Sequence, residues 1–118
     1  MNEDKLTITL SDRAPVRITK AEWPIIAEGH GPRYRDQVKE NDATRKWRLV
    51  IRRHADGRMI AYGIFTTQWG DEHDLRAGEL LGAEADPVAA LRRIAESIGA
   101  PEDVVANTVA DLPATELA

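Results

Sequence analysis

The side chains able to do chemistry fall in two stretches. Nine basic residues lie between Arg33 and Arg58, against four acids. Read as a strand through Lys46 to Ile51, this stretch puts Arg48 and Arg52 on one face, with His54 beyond them. A partner strand over Met59 to Phe65 is expected to bring Phe65 opposite Arg48. Cations along a strand can track a phosphate backbone while an aromatic ring stacks a base. Arg45, Lys46, Arg48, Arg52, His54 and Phe65 are therefore the candidate nucleic-acid contacts. The set has a single ring and matches none of the multi-aromatic motifs of RNA-reading sheets. The competing reading has helices covering this face, with the arginine stems lying over apolar surface.

The second stretch is Trp69-Gly70-Asp71-Glu72-His73-Asp74, a row of carboxylates and an imidazole. Hard cations take such oxygens, but the spacing fits no calcium loop and lacks its interior glycine. His30, His54 and His73 are too scattered to read as a zinc set. The stretch reads as a solvated acidic loop, and no metal or other cofactor is expected. Trp69, beside Gly70 in polar surroundings, is the type of side chain that anchors a protein partner.

Catalysis finds no support. The chain has no cysteine, and Ser11 and Ser97, its only serines, lie outside any nucleophile-elbow pattern. Gly29-His30-Gly31-Pro32 lacks the lysine and helix of a phosphate loop. The expectation is a protein that is not an enzyme.

The whole chain must position these groups with 118 residues, enough for one domain over 1–118 and too few for two. Hydrophobic residues make up 42% and charged residues 31%, a globular mix, with the tail 113–118 expected to be loose. No apolar run approaches a bilayer span, and the start is polar and acidic, so a cytoplasmic protein without membrane contact is expected. Outside the basic stretch the chain holds seven basic and sixteen acidic residues, so two electrostatic faces are expected within a net charge of −4.

Local patterns predict an α+β fold. Leu6, Ile8 and Leu10 alternate with threonines, turn residues follow at 11–15, and Val16 and Ile18 resume the alternation, which reads as a hairpin. Thr19 and Glu22 have capping-box spacing, so a short N-terminal helix is expected before Gly29 and Gly31-Pro32 stop it. Residues 29–44 read as a long polar loop, which in a small domain is often functional. Asp56-Gly57 marks a second hairpin. With those two residues as its loop, Trp47, Leu49, Ile51, Ile60, Tyr62 and Ile64 share the core face. Leu80 and Leu81 could add a fifth strand. Asp86-Pro87 opens a helix ended by Gly99, and Pro101-Glu102-Asp103 opens another that runs toward Pro113. The sum is an antiparallel sheet of four to five strands in two hairpins, one short N-terminal helix and two C-terminal helices.

Residues 94–109 resemble the bacterial helix-turn-helix, with Ala95 as the small residue, Gly99 in the turn and Val105 as the buried contact. That resemblance implies DNA binding, but the second helix opens with Glu102 and Asp103 and carries no arginine or lysine, which phosphates would repel. The stretch reads instead as a helix pair closing the core.

The runs Thr9 to Val16, Glu22 to Ala27, Trp47-Arg48-Leu49, Asp56-Gly57-Arg58, Tyr62-Gly63 and Gly78-Glu79-Leu80-Leu81 are similar to small uncharacterised proteins of proteobacterial mobile genetic elements. The resemblance implies a bacterial setting in which small proteins without catalytic groups often block or adjust a host machine. The expected function is a non-enzymatic protein-binding module, an inhibitor or adaptor acting on a host defence or nucleic-acid-processing complex. Arg33, Tyr34, Arg35, Lys39 and Trp69 are its expected partner contacts. Nucleic-acid binding through the basic stretch is the alternative, and either a monomer or a homodimer fits.

Overall fold

A computed structural model describes residues 4–31, 45–67 and 73–113. The protein is α+β, with two antiparallel sheets and two helices. Strands β1 (Lys5–Ile8) and β2 (Val16–Thr19) form a hairpin. Strands β3 (Ile25–Gly31), β4 (Arg45–Arg53), β5 (Met59–Thr67) and β6 (Leu75–Leu81) form a second sheet, each paired with the next along the chain. Helices α1 (Pro87–Ile98) and α2 (Glu102–Ala110) cover one face of that sheet, and the hairpin lies on the other.

The helices begin and end where the sequence places them. The Asp86 side chain accepts the Val88 N–H at 2.9 Å, Pro87 occupies the first turn and Gly99 closes α1. One stripe of α1 (Ala90, Leu91, Ile94, Ala95, Ile98) packs on Leu49, Ile51, Ala61 and Phe65 of the sheet. Each large aliphatic side chain fully buried there stabilises the fold by about 1.5–3 kcal/mol. Val104, Val105 and Thr108 bury α2 against β3 and β4, leaving Glu102 and Asp103 exposed.

The short N-terminal helix is replaced by a single 3-10 turn at Lys20–Glu22, without a side-chain cap from Thr19. The chain then enters β3, so Gly29 and Gly31 do not stop a helix and do not begin a loop. They lie within the strand because α2 crosses it closely. A Cβ on Gly29 would stand 2.0 Å from Thr108 Oγ1, and one on Gly31 would stand 2.3 Å from a Val104 methyl. The described residues accordingly form six strands in two sheets, in place of the expected four to five in one sheet.

The second correction is one of register. Asp56-Gly57 does mark the β4–β5 turn, but the connection takes three residues, Ala55, Asp56 and Gly57. The His54 N–H donates to the Arg58 carbonyl at 2.8 Å and the Gly57 N–H to the His54 carbonyl at 2.9 Å. Gly57 carries the positive φ of 97° that this bulged turn requires. Arg53 therefore pairs with Met59, Val50 with Tyr62, and Trp47 with Phe65. That shift of one residue moves every β5 side chain to the opposite face. Trp47, Leu49 and Ile51 share the helix side with Met59, Ala61 and Phe65, whereas Ile60, Tyr62 and Ile64 join Arg48, Val50 and Arg52 on the hairpin side.

Candidate binding face

The hairpin side of the sheet has a closed part and an open part. Under the hairpin, Ile8, Leu10, Ile18 and Trp23 pack on Val50, Ile60 and Tyr62. Arg52 is enclosed with them, 7% exposed. Its Nε donates to the Tyr62 hydroxyl at 3.0 Å and its NH1 to the Trp23 carbonyl at 3.0 Å. A buried guanidinium satisfied this way fastens the chain after the hairpin to the sheet and offers nothing to a phosphate. Arg52 thus leaves the candidate nucleic-acid set.

Two more of that set leave it. Phe65 points to the helix side, its ring 4.9 Å from that of Trp47, whose indole N–H donates to the Ile98 carbonyl at 3.0 Å. His54 stands at the far end of β4, its ring 5.0 Å from Trp23 and its Nδ1 3.1 Å from an Asp56 oxygen. There the Arg58 guanidinium lies 5.2 Å over Trp23. The Arg58 backbone N–H, at 3.0 Å, and then its side chain hold the Asp56 carboxyl below the ordinary aspartate range. This cluster shapes the turn and is separated from Arg48 by most of β4.

The open part lies at the other end of the same face. Register places His30 beside Arg48, Arg48 beside Ile64 and Ile64 beside Arg76, with Lys46 and Thr66 one pleat further on. Arg48 donates through Nε to Glu28, whose carboxylate also lies 3.2 Å from His30 Nε2. Among the described residues no carboxylate pairs with Lys46 or Arg76. Ile64 is half-buried between the two arginines, in a cleft of about 70 Å³ whose other wall is Leu6 to Ile8 of β1 and the following Thr9. Arg45 is exposed at the start of β4, paired in register with Thr67. The site is therefore a cationic rim around a small apolar floor. It can hold an anionic surface, and its described residues form no nucleophile–base pair.

Of the contacts expected from sequence, Lys46 and Arg48 lie on this face, and their neighbours Glu28, His30, Ile64 and Arg76 were not among those expected. The signal for Glu28 and His30 was small residues at every second position (Ala27, Gly29, Gly31), the mark of a strand beneath a close-packed helix. Arg76 follows from Ala77 and Leu81 facing inward once β6 is recognised. Arg33, Tyr34, Arg35, Lys39 and Trp69 lie outside the described residues. The strand ends that lead into and out of their segments (Gly31 and Arg45, Thr67 and Leu75) stand together at this same end of the sheet.

Compared with protein-family models, curated proteins and solved structures, the chain matches none. No helix among the described residues is long and apolar enough to cross a membrane.

Proposed function

We propose that the protein is a non-enzymatic binding module whose partner is a protein with an acidic surface, engaged through the open end of the sheet. One observation carries this reading: Lys46, Arg48 and Arg76 stand around a half-buried Ile64 in a cleft that the hairpin borders but does not fill. A cationic rim with an apolar centre is the composition of a protein-docking patch. Nucleic acid fits it less well, because Phe65 is turned to the helix side and Tyr62 is buried, so among the described residues the exposed part offers only the His30 imidazole for stacking. The resemblance to proteins of mobile elements extends this reading to an inhibitor or adaptor that occupies the acidic surface of a bacterial host complex.

The test is capture from a bacterial lysate by the tagged full chain, with and without nuclease, beside the Arg48→Glu/Arg76→Glu variant. The expected result is a stoichiometric protein that survives nuclease and is lost with the charge reversal. Retention of every captured protein by the variant would remove this face from the function. Recovery that collapses with nuclease would transfer the site to nucleic acid, with affinity falling steeply as salt rises.

A further inference from the structure

The molecule caps each outer edge of its larger sheet at one described position, whereas the β1 edge of its smaller sheet carries no such cap among the described residues. On β3 the Glu28 N–H donates to an Asp111 carboxylate oxygen at 2.9 Å. On β6 the Gly78 carbonyl accepts the Ser11 N–H at 2.9 Å and its N–H donates to the Ser11 hydroxyl at 3.2 Å. Gly78 permits this crossing, since a Cβ there would stand 2.5 Å from the Thr9 carbonyl oxygen. Such caps are how proteins keep sheet edges from pairing with other chains.

The hairpin is different. The Lys20 N–H donates to the Asp4 carbonyl at 2.7 Å, which fixes Leu6–Ile18 and Ile8–Val16 as the hydrogen-bonded pairs. By the antiparallel alternation, the N–H and C=O of Thr7 then point away from β2. Among the described residues nothing bonds them. That edge borders the cleft whose opposite wall carries Arg48, Ile64 and Arg76. A two-stranded layer rests on a four-stranded one, and the part of the larger sheet left bare lies beside this edge.

We propose that β1 is a docking strand, and that an extended acidic segment of the partner protein adds to it and lies across Arg48, Ile64 and Arg76. The proposal rests on the acidic-partner reading above and supplies its mode of binding. A strand added about 4.8 Å from β1 runs over the open part of the sheet. Its backbone takes up the Thr7 N–H and C=O, and its inward side chains alternate between an apolar residue on Ile64 and carboxylates on the arginines. Main-chain bonds supply affinity in such additions, and alternate side chains supply selectivity.

The probe is a seven-residue peptide whose second, fourth and sixth residues, which share one face of a strand, are glutamate, valine and glutamate, with threonine at the other positions, blocked at both ends and titrated into the full-length isotope-labelled protein. The expected result is slowed amide exchange at Thr7, with weakening of about tenfold in Thr7→Pro, which removes only an outward donor. A peptide N-methylated at alternate positions should bind wild type about tenfold more weakly as well, a control that does not depend on how the proline variant folds. Arg48→Glu/Arg76→Glu, or lysine in place of the peptide's glutamates, should abolish binding. Equal binding of the N-methylated peptide, with loss on charge reversal, would overturn strand addition and leave the acidic-partner reading intact. No binding of the parent peptide at millimolar concentration would overturn the proposal, and indifference to charge reversal would overturn both readings. Thr7 protection that grows with protein concentration alone would assign the edge to a second copy and overturn the acidic occupant.

Discussion

Arg52 and Arg48 stand on the same face of the same strand, four residues apart, and their surroundings give them opposite roles. Around Arg52 the hairpin supplies apolar walls, while Tyr62 of β5 and the Trp23 carbonyl supply two oxygen acceptors, so the charge is enclosed and hydrogen-bonded. Around Arg48 the hairpin has ended. Its guanidinium meets one half-exposed carboxylate, that of Glu28, and its side chain keeps 37% of its surface open. Position relative to β1 and β2, more than residue type, decides which cation holds the molecule together and which is left for another molecule.

The largest expected effect is at the closed end. Arg52→Ala orphans the Trp23 carbonyl and the Tyr62 hydroxyl and leaves a void, and should cost about 3 kcal/mol in urea unfolding. Arg48→Ala should cost about 0.5 kcal/mol or less, as partly exposed pairs do. Equal costs would break the comparison.

Next comes a control on the covered face. Gly29→Ala drives a methyl into Thr108 and the α2 backbone and should destabilise by about 2 kcal/mol. Once the variant is folded, binding at Arg48 and Arg76 should be unchanged, because helix packing and the open rim lie on opposite sides of the sheet. Tyr62→Phe sharpens the contrast further. It removes one acceptor of Arg52 while keeping the ring, at an expected cost of about 1 kcal/mol in the same unfolding assay, and leaves the open rim untouched.

The smallest effect is at the β4–β5 turn. The Asp56 carboxyl is held below its ordinary range by the Arg58 N–H and guanidinium, so its contribution is present above the unfolded value and lost as pH falls through the lower folded one. An NMR titration of Asp56 should show that depressed midpoint, and Asp56→Asn should remove this part of the acid dependence of stability.

Much of this architecture is legible in local residue chemistry. Asp86, Pro87 and Gly99 bound α1 through contacts a few residues long, and the alternation of Leu6, Ile8, Val16 and Ile18 is enough for the hairpin. Asp56-Gly57 locates the turn but not its length, because the same pair serves a two-residue loop and a three-residue one with Gly57 in the bulge. That ambiguity of one residue exchanged the faces of β5, and with it the places of Phe65 and Ile64. Gly29 and Gly31 read as breakers because the reason for them, α2, lies far along the chain. The enclosure of Arg52 depends on the Trp23 carbonyl, a backbone atom that no side-chain pattern announces. At the site, Lys46 and Arg48 were visible as exposed strand cations. Arg76 and Ile64 became their neighbours only through strand register.

The Asp111 carboxylate stands just past the end of α2, where the helix dipole disfavours negative charge. It is used there to occupy the Glu28 amide of β3. Clipping of the chain ahead of Asp111 would remove that guard while leaving every strand in place. The shortened protein would then present a β-ribbon edge to its neighbours, and its failure would be seen as edge-to-edge polymerisation at high concentration before any loss of fold.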